Sequence, residues 1–250
     1  MNCKNCENLI TGNFCEHCGQ KAAIHRITLP HVSHDFIHAL THADKGILLL
    51  VKKLVTKPGI VAREYLEGKR KTYFNPLSFL VITSAIHAWI SHKTGYFDAA
   101  GAQPRRGNGR MPEVWVEAFR ISNENGKILT LILIVPLLAF LSWIFFKRSK
   151  YLFAETFVLN SFIVGESHVV RTLFFIPLFL LSPQNININI AAFEVLLLVY
   201  VIVAYRQFFQ QNIFLTIFKC ILTMLLFITS YWLFILAYAY VKQLIFEARF

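Results

Sequence analysis

Charge is scarce in this chain. Asp, Glu, Lys and Arg make up 16% of its 250 residues, against roughly a quarter in an average soluble domain. A soluble fold of this length has to face water with a large share of its residues. With 56% hydrophobic residues, 24 Phe and a mean hydropathy of +0.51, lipid has to take the excess. Acidic residues are scarcer than basic ones, 14 against 25, for a net charge of +11. Such a balance points to nucleic acid or to an anionic membrane surface. The charges flank apolar segments instead of forming one basic face, and no groove-reading motif occurs, so anionic head groups are the expected partner and nucleic acid is not. HExxH, GxSxG and paired intramembrane Asp motifs are all missing, so no enzyme is expected. There is no internal repeat and no pair of broken helices of the transporter kind. The opening MNCKNCENLI has no apolar h-region, so the first 70 or so residues are expected to stay where they are made.

What the chain does have falls into three zones: a cysteine unit at 1–20, a basic amphipathic membrane-surface linker at 21–75, and a lipid-soluble part at 76–250. The clearest span is Ile128–Phe146, which is free of charge and stopped by Lys147, Arg148 and Lys150; its length matches the roughly 20 residues a bilayer core needs. Others are expected at about 190–205, 214–241 and 76–91, the last shorter and holding His87. The stretch 155–181 is apolar but interrupted by Glu155, Glu166, His168 and Arg171. It reads as one long tilted helix or two broken near Gly165, and is counted as one crossing. The expected fold is an all-α membrane protein, a bundle of about five transmembrane helices, with four or six as alternatives, preceded by a small zinc ribbon and interfacial amphipathic helices. Basic loops place the N-terminus, Lys147–Lys150 and Arg206 in the cytoplasm. The same count puts the loop at 92–127 outside despite Arg105, Arg106, Arg110, Arg120 and Lys127; its Gly/Pro-rich centre reads as flexible.

Four of the five cysteines form Cys3-x2-Cys6 and Cys15-x2-Cys18. Each pair puts two thiolates on one tight turn, and two facing turns complete a tetrahedron around zinc. Gly19 suits a knuckle residue of positive φ, and Gly12-Asn13 suits the turn between the pairs. Two disulfides would need an oxidising compartment, and a redox CxxC normally comes once, inside a βαβ pattern. Zinc is therefore the expected cofactor. Four thiolates leave no open position, so the ion is structural, and it must hold a unit too short to build a core. Cys220 stands alone within a span and reads as a small apolar residue.

In the linker, Pro30 suits a helix start. His34, His38 and His42 share one face at i, i+4 spacing; a His-rich polar face is preferred over a metal site there, because no further ligand is placed to complete one. From Gly46 to Ala62 the chain is too charged and Pro-interrupted to span. It reads as interfacial, with Lys52 and Lys53 toward head groups. Lys69, Arg70 and Lys71 precede Tyr73 and Phe74 at the first span and are expected to touch anionic lipid. The run Pro58-Gly59, Tyr65, Gly68-Lys69-Arg70, Tyr73 and Pro76, with the CxxC pairs ahead of Arg26-Ile27-Thr28, resembles a bacterial membrane family catalogued only as a domain of unknown function, number 3667. The resemblance covers about residues 1–85. It implies a bacterial inner-membrane protein of this architecture and brings no activity and no catalytic residues.

Ionisable groups at membrane depth are costly and point to a role by default. On a continuous helix His168 and Arg171 lie near one face and Glu155 and Glu166 nearly opposite. Glu194 is placed to pair with Arg171 across the turn at Pro183–Asn189. Three functions follow: a non-enzymatic scaffold with a cytosolic zinc module that binds protein or lipid, a small transporter or channel component using Glu155, Glu166, His168 and Arg171, and an intramembrane enzyme. The first is preferred.

Overall fold

The computed structural model describes residues 1–24, 26–27, 46–101, 112–125 and 129–247. His34, His38 and His42, and the loop arginines Arg105, Arg106 and Arg110, lie outside these residues. The described chain is helical, with no β-strand beyond two isolated bridges, Asn2 with Leu9 and Phe14 with Lys21. The helices are α1 Gly46–Thr56, α2 Pro58–Glu67, α3 Pro76–Lys93, α4 Tyr96–Gly101, α5 Glu113–Glu124, α6 Val135–Phe145, α7 Phe153–Val170, α8 Ile176–Leu181, α9 Ile186–Phe209 and α10 Ile213–Glu247.

Local chemistry sets several of these boundaries. Pro58 and Pro76 occupy helix starts, where a missing N–H costs nothing. Asn75 caps α3 by accepting from the backbone of Leu77 (3.0 Å) and Ser78 (3.1 Å). Two prolines sit inside longer helical runs, and each follows a widened π-turn. Thr130–Ile134 precedes Pro136 at the start of α6, and Arg171–Phe175 precedes Pro177 at the start of α8. A proline removes a donor and crowds the carbonyl four residues back, and a wider turn absorbs both. Phe153–Leu181 is thus one helical run. Gly165 does not break it; a Cβ there would lie 2.6 Å from the Phe79 ring, so this glycine lets α3 approach α7.

Three helical runs are long and apolar enough to cross a membrane: Phe153–Leu181, Pro183–Phe209 and Ile213–Ile245. They give the chain the architecture of a membrane protein. Thr130–Phe145 is a shorter apolar helix. Large apolar side chains on the outside of α9 and α10, among them Val195, Phe214, Phe218 and Leu233, form a surface that lipid covers at no cost.

Helix α7 is the axis. Helices α3 and α6 pack along it, α1 lies against its first half, and α2 crosses α9. Leu50, Leu54, Phe79, Phe162, Tyr205 and Phe208 are buried together at the centre. Polar bonds join the helices as well as packing, as in other membrane bundles. Thr156 donates to the Ala139 carbonyl (3.1 Å), Asn160 to Ser142 Oγ (3.1 Å) and Tyr205 to Asn160 Oδ1 (2.9 Å). At the end away from the cysteines, α5 packs on α10 through Ala118, Ile121, Ile235 and Ala239. Glu117 ties this contact to Arg120 (2.7 Å) and Lys242 (2.8 Å). The sequence reading has no helix there: α5 places its apolar residues on one narrow face and is charged elsewhere, so its signal is weak until α10 covers it.

Candidate metal centre and its seat on the bundle

The two CxxC turns face each other. Backbone N–H groups of Asn5 and Cys6 donate to the Cys3 sulfur, and that of Asn8 to the Cys6 sulfur. Cys3 Sγ lies 3.6 Å from Cys18 Sγ, and Cys6 Sγ 3.5 Å from Cys15 Sγ. All four sulfurs fall within 4.8 Å of one another. None is in a disulfide, a bond that would need about 2.05 Å. A tetrahedral ion with bonds of about 2.3 Å sets its ligands about 3.8 Å apart, so the cluster can hold a metal with little movement. The neighbouring thiols act on Cys3 and Cys6 in opposite directions, favouring the thiolate at Cys3 and opposing it at Cys6. Desolvation opposes ionisation of Cys3, yet the Asn5 and Cys6 N–H groups and hydrogen bonds with the Cys18 and Cys6 thiols hold it down to about 7. The Asn8 N–H favours the Cys6 thiolate, but desolvation and the sulfurs of Cys15, Cys18 and Cys3 push Cys6 up to about 12. A cation among them removes the conflict.

The knuckles are alike in backbone and unlike in sequence. Gly19 follows Cys18 at φ 68°, and Glu7 follows Cys6 at φ 64°. Only the second has the residue that takes this conformation freely.

The unit is seated on the loop between α2 and α3. Asn5 Oδ1 accepts from Thr72 N (3.0 Å) and Thr72 Oγ1 (2.9 Å). Gln20 donates to the Gly68 carbonyl and accepts from Lys71 N (3.2 Å). Gly68 has φ 125°, and a Cβ there would meet Ile24 Cδ1 at 2.7 Å. The loop is itself tied to α2. Burial works against ionisation of Glu64, but Lys69 (2.8 Å) and the Tyr73 hydroxyl hold its carboxyl below the usual range. Tyr73 is pushed up by burial and by Glu64. Lys53 completes the group, 3.2 Å from the Tyr73 hydroxyl.

Arg26 makes a second attachment. Its guanidinium donates to both oxygens of Glu155 (2.7 and 2.9 Å) and to the Lys150 carbonyl (2.9 Å), and Glu155 also accepts from Leu152 N (2.8 Å). Hydrogen bonding to Glu155 raises Arg26 further above its usual value. Glu155 thus caps the start of α7. No local pattern joins Arg26 to Glu155, because the pair exists only through the fold.

The expected lipid-contacting lysines separate. Lys52 and Lys71 are exposed, while Lys53 and Lys69 reach inward to Tyr73 and Glu64. Arg70 is half-buried in the seating loop.

Deeper in the bundle, the rings of His87 and His168 stack at 5.0 Å. Ser84 bonds His168 Nδ1 (3.1 Å) and Thr172 bonds His87 Nδ1 (3.0 Å). Arg171 lies over the Phe193 ring at 3.8 Å and pairs with Glu194 at 3.0 Å. Glu166 is 1% exposed, and neither of its oxygens has a hydrogen-bond partner among the described residues. Cys220 is buried alone in α10.

Residues 44–87 match the model of a family described as Protein of unknown function (DUF3667). The matched segment takes in α1, α2 and most of α3, and the geometry gives a structural reason for the residues that carry the resemblance. A Cβ on Gly59 would lie 2.2 Å from the Ala204 carbonyl, so only glycine lets α2 cross α9 this closely. Tyr65 meets Phe162 edge-on at 5.8 Å. Gly68, Lys69 and Tyr73 build the seat for the cysteine unit, and Pro76 starts α3. No curated protein and no solved structure matches the chain.

Proposed function

We propose that this chain is a multi-pass membrane scaffold whose four-cysteine unit carries a structural zinc ion at the cytosolic face. The observation that carries the reading is the four-sulfur cluster seated, through Asn5 and Gln20, on the loop at the membrane end of the bundle. Four thiolates favour zinc or iron, and zinc needs no redox partner. With every position filled by sulfur, the ion supplies rigidity and no chemistry. The chain's own residues then hold the loop at 68–73 and, through Arg26, the start of α7.

Five crossings fit this arrangement, α3 and α6 joining the three long runs. Lys52, Lys57, Lys71, Lys147, Lys150 and Arg206 gather at the cysteine end, which favours that end as cytosolic. Met1, Leu9 and Phe14 are exposed apolar side chains on the cysteine unit, at 69%, 70% and 54%, and they favour a protein partner on its outward side. Metal analysis of the purified chain tests the first part. One zinc per chain is expected, and iron with thiolate-to-iron absorption would overturn it. Crosslinked capture from native membranes, with and without residues 1–20, tests the second. A partner set unchanged by the deletion would count against an interaction module.

A second reading, a transport component, is favoured by one observation, the buried Glu166, which has no hydrogen-bond partner among the described residues, in a bundle that also holds His87, His168 and Arg171. Solute flux lost in Glu166→Ala at normal membrane levels would support it over the scaffold.

A further inference from the structure

A cavity of about 380 Å³ opens where α2 crosses the last turns of α9, beside the start of α10. Its polar part is formed by Arg63, Arg206 and Gln210, and its apolar part by Ile60, Ile202 and Ile213. Among the described residues no carboxylate lines it. Neither arginine has an ion pair among the described residues, and Arg63 Nε is shielded from water with no acceptor. Two guanidinium groups facing one cavity with no ion pair among the described residues suit an anionic oxygen, and phosphate is the geometry they match best.

The walls are set firmly. Gly59 N donates to Gln207 Oε1 (3.1 Å), and Gln207 Nε2 donates to the Thr56 carbonyl (3.1 Å). The backbones of α2 and α9 touch at Gly59. Gln210, at φ 53°, turns the chain between two candidate spans. The polar part therefore lies at the depth where spans end, and Ile202 lies about one turn deeper than Arg206. From there the wall continues into exposed Val203 and Val199 on the outside of α9.

We infer that this cavity is a binding site for one anionic phospholipid, its phosphate held by Arg63 and Arg206 and the start of an acyl chain laid along Ile202 and Ile213. A free phosphate ion meets the same guanidinium groups but leaves the apolar half empty, so the lipid is the better fit. The site does not depend on the metal and rests only on the membrane reading.

The test is native mass spectrometry of the full chain taken from bilayers of equimolar phosphatidylglycerol and phosphatidylcholine. The wild type is expected to retain one phosphatidylglycerol. Arg63→Gln with Arg206→Gln should lower that retention about thirtyfold, from roughly 1 kcal/mol per cation at a membrane surface. Arg63→Lys with Arg206→Lys should keep part of it, and Lys147→Gln with Lys150→Gln should keep all of it. Equal retention in the double Gln variant overturns the proposal, and so does an equal loss in the lysine control, which would mean diffuse surface charge. Displacement of the lipid by inorganic phosphate at comparable concentration also overturns it, in favour of a free ion. Should the double Gln variant not fold, Ile213→Trp narrows the apolar half and is expected to lower lipid retention at unchanged melting temperature; undiminished retention there counts against the site.

Discussion

Glu155 and Glu166 lie on one helix about three turns apart, and both are buried, at 5% and 1% exposure. Their surroundings differ completely. Glu155 accepts two bonds from Arg26 and one from Leu152 N, at the end of the molecule where the cysteine unit, the seating loop and the start of α7 are cross-linked by polar contacts. Glu166 sits in the middle of the bundle, and its oxygens have no hydrogen-bond partner among the described residues. A buried carboxylate that is fully bonded is explained by structure. One that is not costs stability and points to another role.

The contrast can be broken in several ways. The largest effect should come from Cys15→Ser with Cys18→Ser. The bound metal should vanish from elemental analysis, with loss of an apparent binding energy of roughly 10–16 kcal/mol, and Arg26 should lose its anchorage. In that background Glu155→Gln should cost almost nothing in thermal stability, while the effect of Glu166→Gln stays as in the parent. Full retention of the Glu155→Gln cost would separate the two attachments. Next in size, Glu155→Ala should destabilise by about 2 kcal/mol, an ion pair discounted for the half-exposed Arg26 plus a lost backbone cap. Glu166→Leu should stabilise by about 1 kcal/mol, because it removes buried unpaired oxygens. Detergent melts in the opposite order would mean that Glu166 has a partner and Glu155 does not need one.

A smaller effect is expected from pH at the cysteine end. Glu64 has its carboxyl held below the ordinary value of 4.5 by Lys69 and Tyr73 against burial. Its contribution is therefore complete above that value and is lost as pH falls through the depressed one, at about 1 kcal/mol or less. Amide exchange in residues 69–73 should rise on acidification through that range, and Glu64→Gln should remove the dependence. The smallest effect is Glu7→Gly, which relieves a positive φ and should slow metal loss to a chelator by stabilising the first knuckle by about 0.5–1 kcal/mol.

Much of the site is legible before folding, and for definite reasons. Thiolate spacing is local, so Cys3, Cys6, Cys15 and Cys18 can be grouped from the chain alone, and Gly19 follows from the knuckle's backbone. Glu7 does not, because nothing in its side chain signals a positive φ. Asn5, Gln20 and Arg26 carry the seat and the clamp, yet each pairs with a residue far along the chain and has no local pattern. Lys53 and Lys69 read as head-group contacts by position, and the fold turns them toward Tyr73 and Glu64 instead. Gly165 reads as a possible break in α7, and in the bundle it makes room for Phe79.

Composition by itself determined that this chain needs lipid, because too few polar residues exist to cover a soluble fold, and spacing determined that four sulfurs meet, because each pair lies on one turn. Tertiary structure alone decided which charges are spent inside the protein. Whether Glu155 finds Arg26 while Glu166 finds no hydrogen-bond partner among the described residues, and whether Arg63 and Arg206 share a cavity, depends on which helices lie side by side, and the pairing of helices is set by long-range packing that no short stretch of residues encodes.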